Sequence, residues 1–214
     1  MALALPVLAS PSPSRSPSLP PPAAALALAT AEEGEGVRAR LAQPDVLRGQ
    51  FEQSKQLAGF RQPLVSRGDF LLVRDRGVAW DTREPFASTT LLTRERLLTR
   101  LPDGSQRVLL DAAESPGMAA VNALLLALVA GDLPALAERF ALEETLAADG
   151  GWTLVLRPEE AGLRQAFARI TLAGDRFVRE VVIEEAGGDI TTLRFLALAD
   201  EPAEPTPDEA ARFD

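Results

Sequence analysis

The 214-residue chain contains no histidine, no cysteine and no tyrosine, and these absences exclude several kinds of site. Zinc and copper centres depend on imidazole and thiolate ligands, which the chain does not supply. Hydrolysis that uses a histidine base is excluded for the same reason, as is every disulfide. Catalysis would have to rest on carboxylates, arginine, serine or threonine. We therefore expect a protein that is not an enzyme and that holds no metal or other cofactor.

The chain is also poor in positive charge, with 22 basic residues against 31 acidic ones and a formal net charge of −9 at pH 7. Lys55 is its only lysine. An acidic chain of this kind is a poor partner for nucleic acid. Long apolar runs are missing too, since no segment approaches the roughly 20 apolar residues that span a bilayer. The lack of cysteine is compatible with an oxidising compartment but does not assign one.

Residues 1–31 and 201–214 differ in composition from the middle of the chain. The first segment is rich in proline, serine and alanine, and residues 23–31 form a short apolar run that ends in Ala-x-Ala. That pattern is typical of a secretory signal, and a disordered segment rich in proline and alanine is the alternative. The last segment is acidic and proline-rich, which predicts an extended, mobile tail with at most Phe213 as an anchor. Residues 32–200 remain as one domain.

Turn signals and hydrophobic periodicity predict an antiparallel β-meander with a helical insertion, a mainly β member of the α+β class. Short turns such as that at residues 102–104 separate successive strands, which argues against βαβ units. The predicted helices are 36–47 (bent at Pro44), 115–129 and 133–140. The predicted strands are 50–56, 64–74, 78–81, 88–93, 97–101, 101–109, 142–147, 152–158, 165–172, 177–185 and 190–197.

Two segments indicate an enclosed apolar interior. Residues 70–73, Phe-Leu-Leu-Val, are apolar on both faces of their predicted strand, so both faces need apolar contacts. Residues 118–129 are apolar around nearly the whole helix, with Asn122 as the polar exception, which is typical of a deeply buried helix. At the edge of a curved sheet that helix would act as a lid over a cavity suited to a lipid or acyl chain.

The alternative is that these large apolar residues only fill a core. The candidate cavity residues are Phe70, Leu72, Trp80, Leu91, Met118, Val121, Leu125, Leu128, Trp152, Leu154, Leu156, Ile170, Val181, Leu193 and Phe195.

The order of several short segments resembles the LolA-type outer-membrane lipoprotein carrier family over most of residues 36–198. The segments are residues 49–53 (GQFEQ), residues 68–74 (GDFLLVR), Trp80, the loop containing Pro85, the hairpin at 93–96, the mid-chain helices and residues 152–158 (WTLVLRP). The resemblance implies an unclosed antiparallel β-barrel, that is, a curved sheet, with lid helices near residues 116–139.

The resemblance also implies a function. Members of the family are periplasmic carriers that hold the acyl chains of lipoproteins in an apolar cavity and shuttle them from the inner to the outer membrane. We would expect a monomer that receives its cargo from an inner-membrane donor complex and delivers it to an outer-membrane acceptor. Some relatives handle another lipid, or a polyene or acyl product, together with an inner-membrane exporter, and that cargo stays an alternative.

Arg74 is the residue to which the resemblance gives a specific role. In the family, the arginine at this position ties the lid closed through hydrogen bonds to the backbone of the lid helix. A guanidinium suits that role because it offers five donors and stays charged. The alternative is an ordinary surface arginine beside Asp75 and Arg76.

Two other classes of function remain as alternatives. An enzyme based on carboxylates would use Asp111 with Glu114, or Asp81 with Glu84 as its pair of acids. Because these acids lie in polar, turn-like segments, solvated surface charge is the expected role for them. A binding module that docks a protein partner through an exposed apolar patch is the other alternative.

Overall fold

The computed structural model describes residues 34–111, 126–127 and 130–213. The predicted signal segment 1–31 lies outside the described residues, as does nearly all of the predicted lid helix 115–129. Residues 126, 127 and 130 are helical. Within the described ranges, no helix has the length and hydropathy that a membrane span requires.

The described residues form one antiparallel sheet of eleven strands in the order β6-β5-β4-β3-β2-β1-β11-β10-β9-β8-β7. Strands β6 and β7 are its two edges and do not pair with each other, so the sheet is not closed. The strands are β1 (Val46–Gln56), β2 (Leu64–Val73), β3 (Gly77–Glu84), β4 (Ser88–Leu92), β5 (Arg96–Arg100), β6 (Gln106–Asp111), β7 (Phe140–Leu146), β8 (Trp152–Pro158), β9 (Phe167–Gly174), β10 (Val178–Glu185) and β11 (Ile190–Ala199). The predicted class, mainly β with an unclosed antiparallel curved sheet, is confirmed.

Four short helices with described ends accompany the sheet: α1 (Glu35–Arg40), α2 (Leu133–Ala137), α3 (Ala161–Ala166) and α4 (Pro207–Ala211). Buried residues of α1 and α2, together with Ala127, belong to the same apolar cluster as the inner face of the sheet. We call α1, residues 126–127 and 130, and α2 the cover. Glu144 on β7 positions helix α1, because the Glu144 carboxylate accepts hydrogen bonds from the backbone N–H groups of Gly36 and Val37.

The two faces of β2 contact two separate apolar clusters. Phe70 and Leu72 belong to the inner cluster under the cover. Leu71 and Val73 belong to a smaller outer cluster on the opposite face, with Val46, Ala79, Leu91 and Leu98. Successive side chains of a strand point to opposite faces. The doubly apolar sequence of β2 is therefore explained by apolar contacts on both sides of the sheet.

The C-terminal segment lies on the outer face, so the prediction of an extended, mobile tail is wrong. Residues 207–211 form α4, which begins with a reciprocal capping box between Thr206 and Glu209. Phe213 packs against the outer apolar cluster. Arg48 on β1 holds the same segment, since its guanidinium donates to both carboxylate oxygens of Glu209 at 2.7 and 2.8 Å. Packing and a bidentate ion pair thus order a segment whose composition predicts disorder.

Three element boundaries also correct the sequence analysis. The first helix ends at Arg40 instead of continuing to residue 47, because Leu41 is already extended and a proline follows at position 44. Strand β9 begins only at Phe167, because residues 161–166 form α3. The helix predicted over 133–140 ends at Ala137, and Phe140 opens β7.

Candidate functional site

The inner face of the sheet carries a continuous apolar surface. Side chains from β1, β2, β8, β9, β10 and β11 meet residues of the cover in one cluster. Most of the predicted cavity residues that the structure describes lie in it. The buried ones are Phe70, Leu72, Trp152, Leu154, Leu156, Ile170, Val181 and Phe195, and the partly buried ones are Trp80 and Leu193.

Leu91 does not join them, and its assignment to the inner face is wrong. Its neighbours across the strands are Ala79 and Leu98, which belong to the outer cluster. Leu92 is the inner-face residue of β4. A strand alternates its faces with a period of two, so an error of one residue places a side chain on the wrong face. Met118, Val121, Leu125 and Leu128 lie outside the described residues.

Two reciprocal pairs of glycine and phenylalanine form the centre of the inner face. Gly49 on β1 faces Phe70 on β2, and Phe51 on β1 faces Gly68 on β2. A Cβ on Gly49 would lie 2.7 Å from the Phe70 ring, and one on Gly68 would lie 2.9 Å from the Phe51 ring. The same Cβ on Gly68 would lie 1.8 Å from the carbonyl oxygen of Asp81. The two glycines therefore make room for the rings that cross them.

The rings form a cluster with Trp80 and Phe195. The centroid of Trp80 lies 4.7 Å from that of Phe51, 5.6 Å from Phe70 and 5.9 Å from Phe195. The Phe70 and Phe195 rings meet edge to face at 5.1 Å. Such pairs add about 0.5–1.5 kcal/mol each beyond the area that they bury. The motifs GQFEQ and GDFLLVR thus each contribute a ring to one cluster. We call this cluster, Phe51, Phe70, Trp80 and Phe195, the aromatic floor.

An apolar cavity of about 20 Å³ lies between the floor and the cover. A volume of about 10–15 Å³ holds one water molecule, so this cavity is far too small for an acyl chain. Its wall includes residues that were not predicted from the sequence. Those residues are Leu41, Ala42, Pro44, Leu47, Ala130 and Val178. Because a helix was predicted up to residue 47, strand periodicity was not applied to Leu47. That periodicity places Leu47 on the same face of β1 as Phe51.

Arg74 contacts the loop between α1 and β1. Its Nη2 atom donates to the carbonyl of Pro44 at 2.9 Å, and its Nε atom lies 3.3 Å from the Asp45 carboxylate. This loop adjoins the cover, since a Cβ on Gly131 would lie 2.7 Å from Leu41. Among the described residues, Arg74 thus reaches the cover through this loop, and no described residue of the lid accepts its hydrogen bonds. The latch to the lid helix itself stays a prediction.

Of the two candidate pairs of acids, the structure describes both side chains only for Asp81 and Glu84, and these two have different partners. Asp81 lies on the outer face, where it accepts hydrogen bonds from Thr89 and from Arg212. Glu84 is 68% exposed and lies 3.5 Å from Arg67. The side chain of Asp111 and all of Glu114 lie outside the described residues. Within the described part of the chain, no group of three acidic side chains is placed to hold a metal ion.

Comparison with known proteins gives one family match and several distant structural likenesses. Residues 25–211 match the family described as outer membrane lipoprotein carrier protein LolA-like. No curated protein matches the chain significantly.

Three crystal structures illustrate the structural likenesses. A LolA superfamily protein from Nitrosomonas europaea is 11% identical at a TM-score of 0.45, over 84% of this chain and 94% of that one. A DUF1329 family protein from Desulfovibrio piger is 12% identical at a TM-score of 0.47, also over 84% and 94%. MucB in the Pseudomonas aeruginosa MucA/MucB complex is 16% identical at a TM-score of 0.42, over 82% of this chain and 59% of that one. Because the family match spans most of its length, the chain belongs to the LolA-like outer membrane lipoprotein carrier family.

Proposed function

We propose that the protein is a periplasmic carrier that binds the acyl chains of lipoproteins against its inner face and transfers them from the inner to the outer membrane. One observation carries the proposal. The described inner face is a continuous apolar surface with an aromatic floor, and an apolar cavity of about 20 Å³ lies against it beside Ala130 and the loop after α1. A surface of this kind binds hydrocarbon and offers no group for chemistry, so the proposed carrier catalyses no reaction.

Binding of an acyl chain requires the cover to move away from the sheet. Burial of the acyl chain would contribute about 25 cal/mol of binding free energy for each Å² of apolar surface removed from water. The same movement separates the cover from the floor, and the free energy of that separation lowers the net affinity. The cost of moving the cover thus offsets part of the gain from burying the acyl chain. A moderate net affinity suits a carrier, because a protein that bound its cargo too tightly would not release it. Differential affinity between the donor complex, the carrier and the outer-membrane acceptor would set the direction of transfer.

We assign to Arg74 the role of holding the loop between α1 and β1. This loop lines the closed cavity through Leu41 and Pro44. Arg74 fixes it from the end of β2 by its bonds to Pro44 and Asp45. We propose that these bonds hold the loop against the cover in the empty carrier and break when cargo enters.

Mass spectrometry under native conditions, on protein purified from its own cell envelope, tests the proposal directly. We expect bound lipoprotein or acylated lipid, and the same spectrum would report whether residues 1–31 are removed. A bound lipid of another class, such as a polyene product, would support the carrier but replace its cargo. Delipidated protein that binds no fatty-acyl probe would refute the carrier function.

A cavity variant with a matched control localises the binding. Ala130 lines the closed cavity, whereas Ala161 is exposed on α3. Ala130→Leu places added methyl groups where the acyl chain would enter, so we expect it to weaken binding of a fluorescent fatty acid several-fold. Ala161→Leu adds the same groups outside the cavity and should leave the affinity unchanged. Equal affinities of the two variants, both shown to be folded, would place the binding site elsewhere.

A further inference from the structure

A second chamber lies beside the apolar cavity, at the end of β2. Its volume is about 450 Å³, within the range of about 300–1,000 Å³ that small-molecule sites occupy. It shares Leu72 and Ala130 with the apolar cavity, so the two spaces adjoin. Leu126 and Ala127 extend its apolar wall. The two spaces therefore lie on either side of Leu72 and Ala130, close enough for one molecule to contact both.

Three arginines also line this chamber. Arg74 and Arg76 come from the turn between β2 and β3, and Arg94 comes from the turn between β4 and β5. They lie together on a chain whose formal net charge is −9. A concentration of guanidinium groups against the overall charge indicates a local preference for anions.

The three arginines differ in the partners that they already have. Arg94 has no ion-pair or hydrogen-bond partner among the described residues. The partner of Arg74, Asp45, lies 3.3 Å away and is 80% exposed, so this ion pair is weak. Arg76 donates to the carbonyl of Ala210 on the C-terminal segment.

Two carboxylates also line the chamber. Asp132 is occupied as the N-cap of α2, where it accepts a hydrogen bond from the backbone N–H of Ala135. Asp75 lies between Arg74 and Arg76 in the β2–β3 turn. Among the described residues that line the chamber, three arginines therefore stand with two carboxylates, and one of these carboxylates is already bonded within its own helix.

We propose that this chamber binds the anionic headgroup of an amphiphile whose hydrocarbon chain enters the adjoining apolar cavity when the cover moves away from the sheet. Guanidinium groups bind phosphate and carboxylate oxygens through paired, charge-assisted hydrogen bonds, which are stronger than neutral ones. An apolar cavity next to a chamber rich in arginine matches the two parts of such a molecule. The inference rests on the proposed carrier function and adds the charge class of the ligand.

Calorimetric titration of the delipidated protein with ligands matched in their chain tests the inference. The probes are dodecyl phosphate and dodecanol, both below their aggregation limits, and inorganic phosphate. We expect dodecyl phosphate to bind at least about tenfold more tightly than dodecanol, from charge-assisted hydrogen bonds. Equal binding of the two would refute the headgroup site and leave the carrier function standing. Binding of neither would refute the carrier function itself, and inorganic phosphate binding as tightly as dodecyl phosphate would show a free-anion site instead.

A substitution at Arg94 assigns the preference to the chamber. Arg94→Gln should reduce the advantage of dodecyl phosphate over dodecanol to less than about threefold, and Arg94→Lys should keep part of it, because a charge remains. Arg61→Gln is the matched control, since Arg61 is exposed in the loop between β1 and β2, at the other end of β2. An advantage that survives Arg94→Gln unchanged, or that Arg61→Gln removes equally, would overturn the assignment.

Discussion

The ion pair between Arg48 and Glu209 predicts how the stability of the protein depends on pH. The hydrogen bond from Arg48 lowers the pKa of Glu209 to about 2, from 4.5 for a free glutamate. A pKa difference of one corresponds to about 1.4 kcal/mol, which sets an upper limit of about 3 kcal/mol for this pair. The two side chains keep 21% and 23% of their surface exposed, and screening by water reduces the expected contribution to about 1–2 kcal/mol.

The direction follows from the lowered pKa. The folded protein holds Glu209 charged where the unfolded chain would bind a proton, so the contribution is fully present above about pH 5. It falls as the pH drops toward 2, and more than half of it is gone at about pH 3. Glu209→Gln removes the charge and keeps a side chain that can still cap α4. We therefore expect the variant to lose about 1 kcal/mol less stability than the wild type between pH 7 and pH 3.

Urea unfolding at the two pH values measures this difference. Glu204→Gln is the matched control, because Glu204 is exposed in the same segment and its side chain has no partner among the described residues. The control should follow the wild type at both pH values. Equal losses of stability in the wild type and in Glu209→Gln would refute the claim that this ion pair fastens the C-terminal segment.

Three further substitutions test the packing and the loop contact. Phe213→Ala should lower the free energy of unfolding by about 1–2 kcal/mol, since the ring covers the outer cluster. The same change at the exposed Phe60 should have little effect. An equal loss at both positions in urea unfolding would contradict this prediction. Gly68→Ala should lower the free energy of unfolding by more than about 3 kcal/mol, because its Cβ would clash with a backbone carbonyl. Gly162→Ala, which has open space around it, should be neutral or stabilising by up to about 1 kcal/mol. If Gly68→Ala leaves thermal unfolding unchanged, the close approach of β2 and β3 is disproved. Arg74→Leu should bind a fatty-acyl probe several-fold more tightly in fluorescence titration, because the bonds that oppose opening of the empty carrier are gone. Less than about 1 kcal/mol of stability should be lost, and an unchanged affinity would remove the role of Arg74 in holding the loop.

Local patterns predicted most of the sheet. Turn residues and alternating hydrophobicity located the strands of the meander, and strand β8 has the predicted bounds of 152–158. Errors occurred where a neighbouring segment changed the local preference, as at the early end of α1 and at α3. The inner-face residues followed from strand periodicity except at Leu91, where a shift of one position exchanges the two faces.

The C-terminal segment was the main failure of the sequence analysis. Its acidic and proline-rich composition predicts disorder, because the segment has little apolar surface of its own to bury. Its order comes from distant partners that the folded sheet supplies. Arg48 lies 161 positions away in the chain from the Glu209 that it binds. No local pattern reports such a contact.

The sequence by itself excluded sites that need imidazole or thiolate groups and determined the class of the fold. Without histidine or cysteine the chain lacks the usual ligands of zinc and copper centres and the histidine base of many hydrolases. Short turns between alternating strands favour an antiparallel sheet because they join neighbours directly. Tertiary structure alone decided which apolar residues line the cavity, how small that cavity is, and which arginines line the neighbouring chamber. Each of these depends on strand register and on contacts between distant segments, and those are set only when the sheet folds around its core.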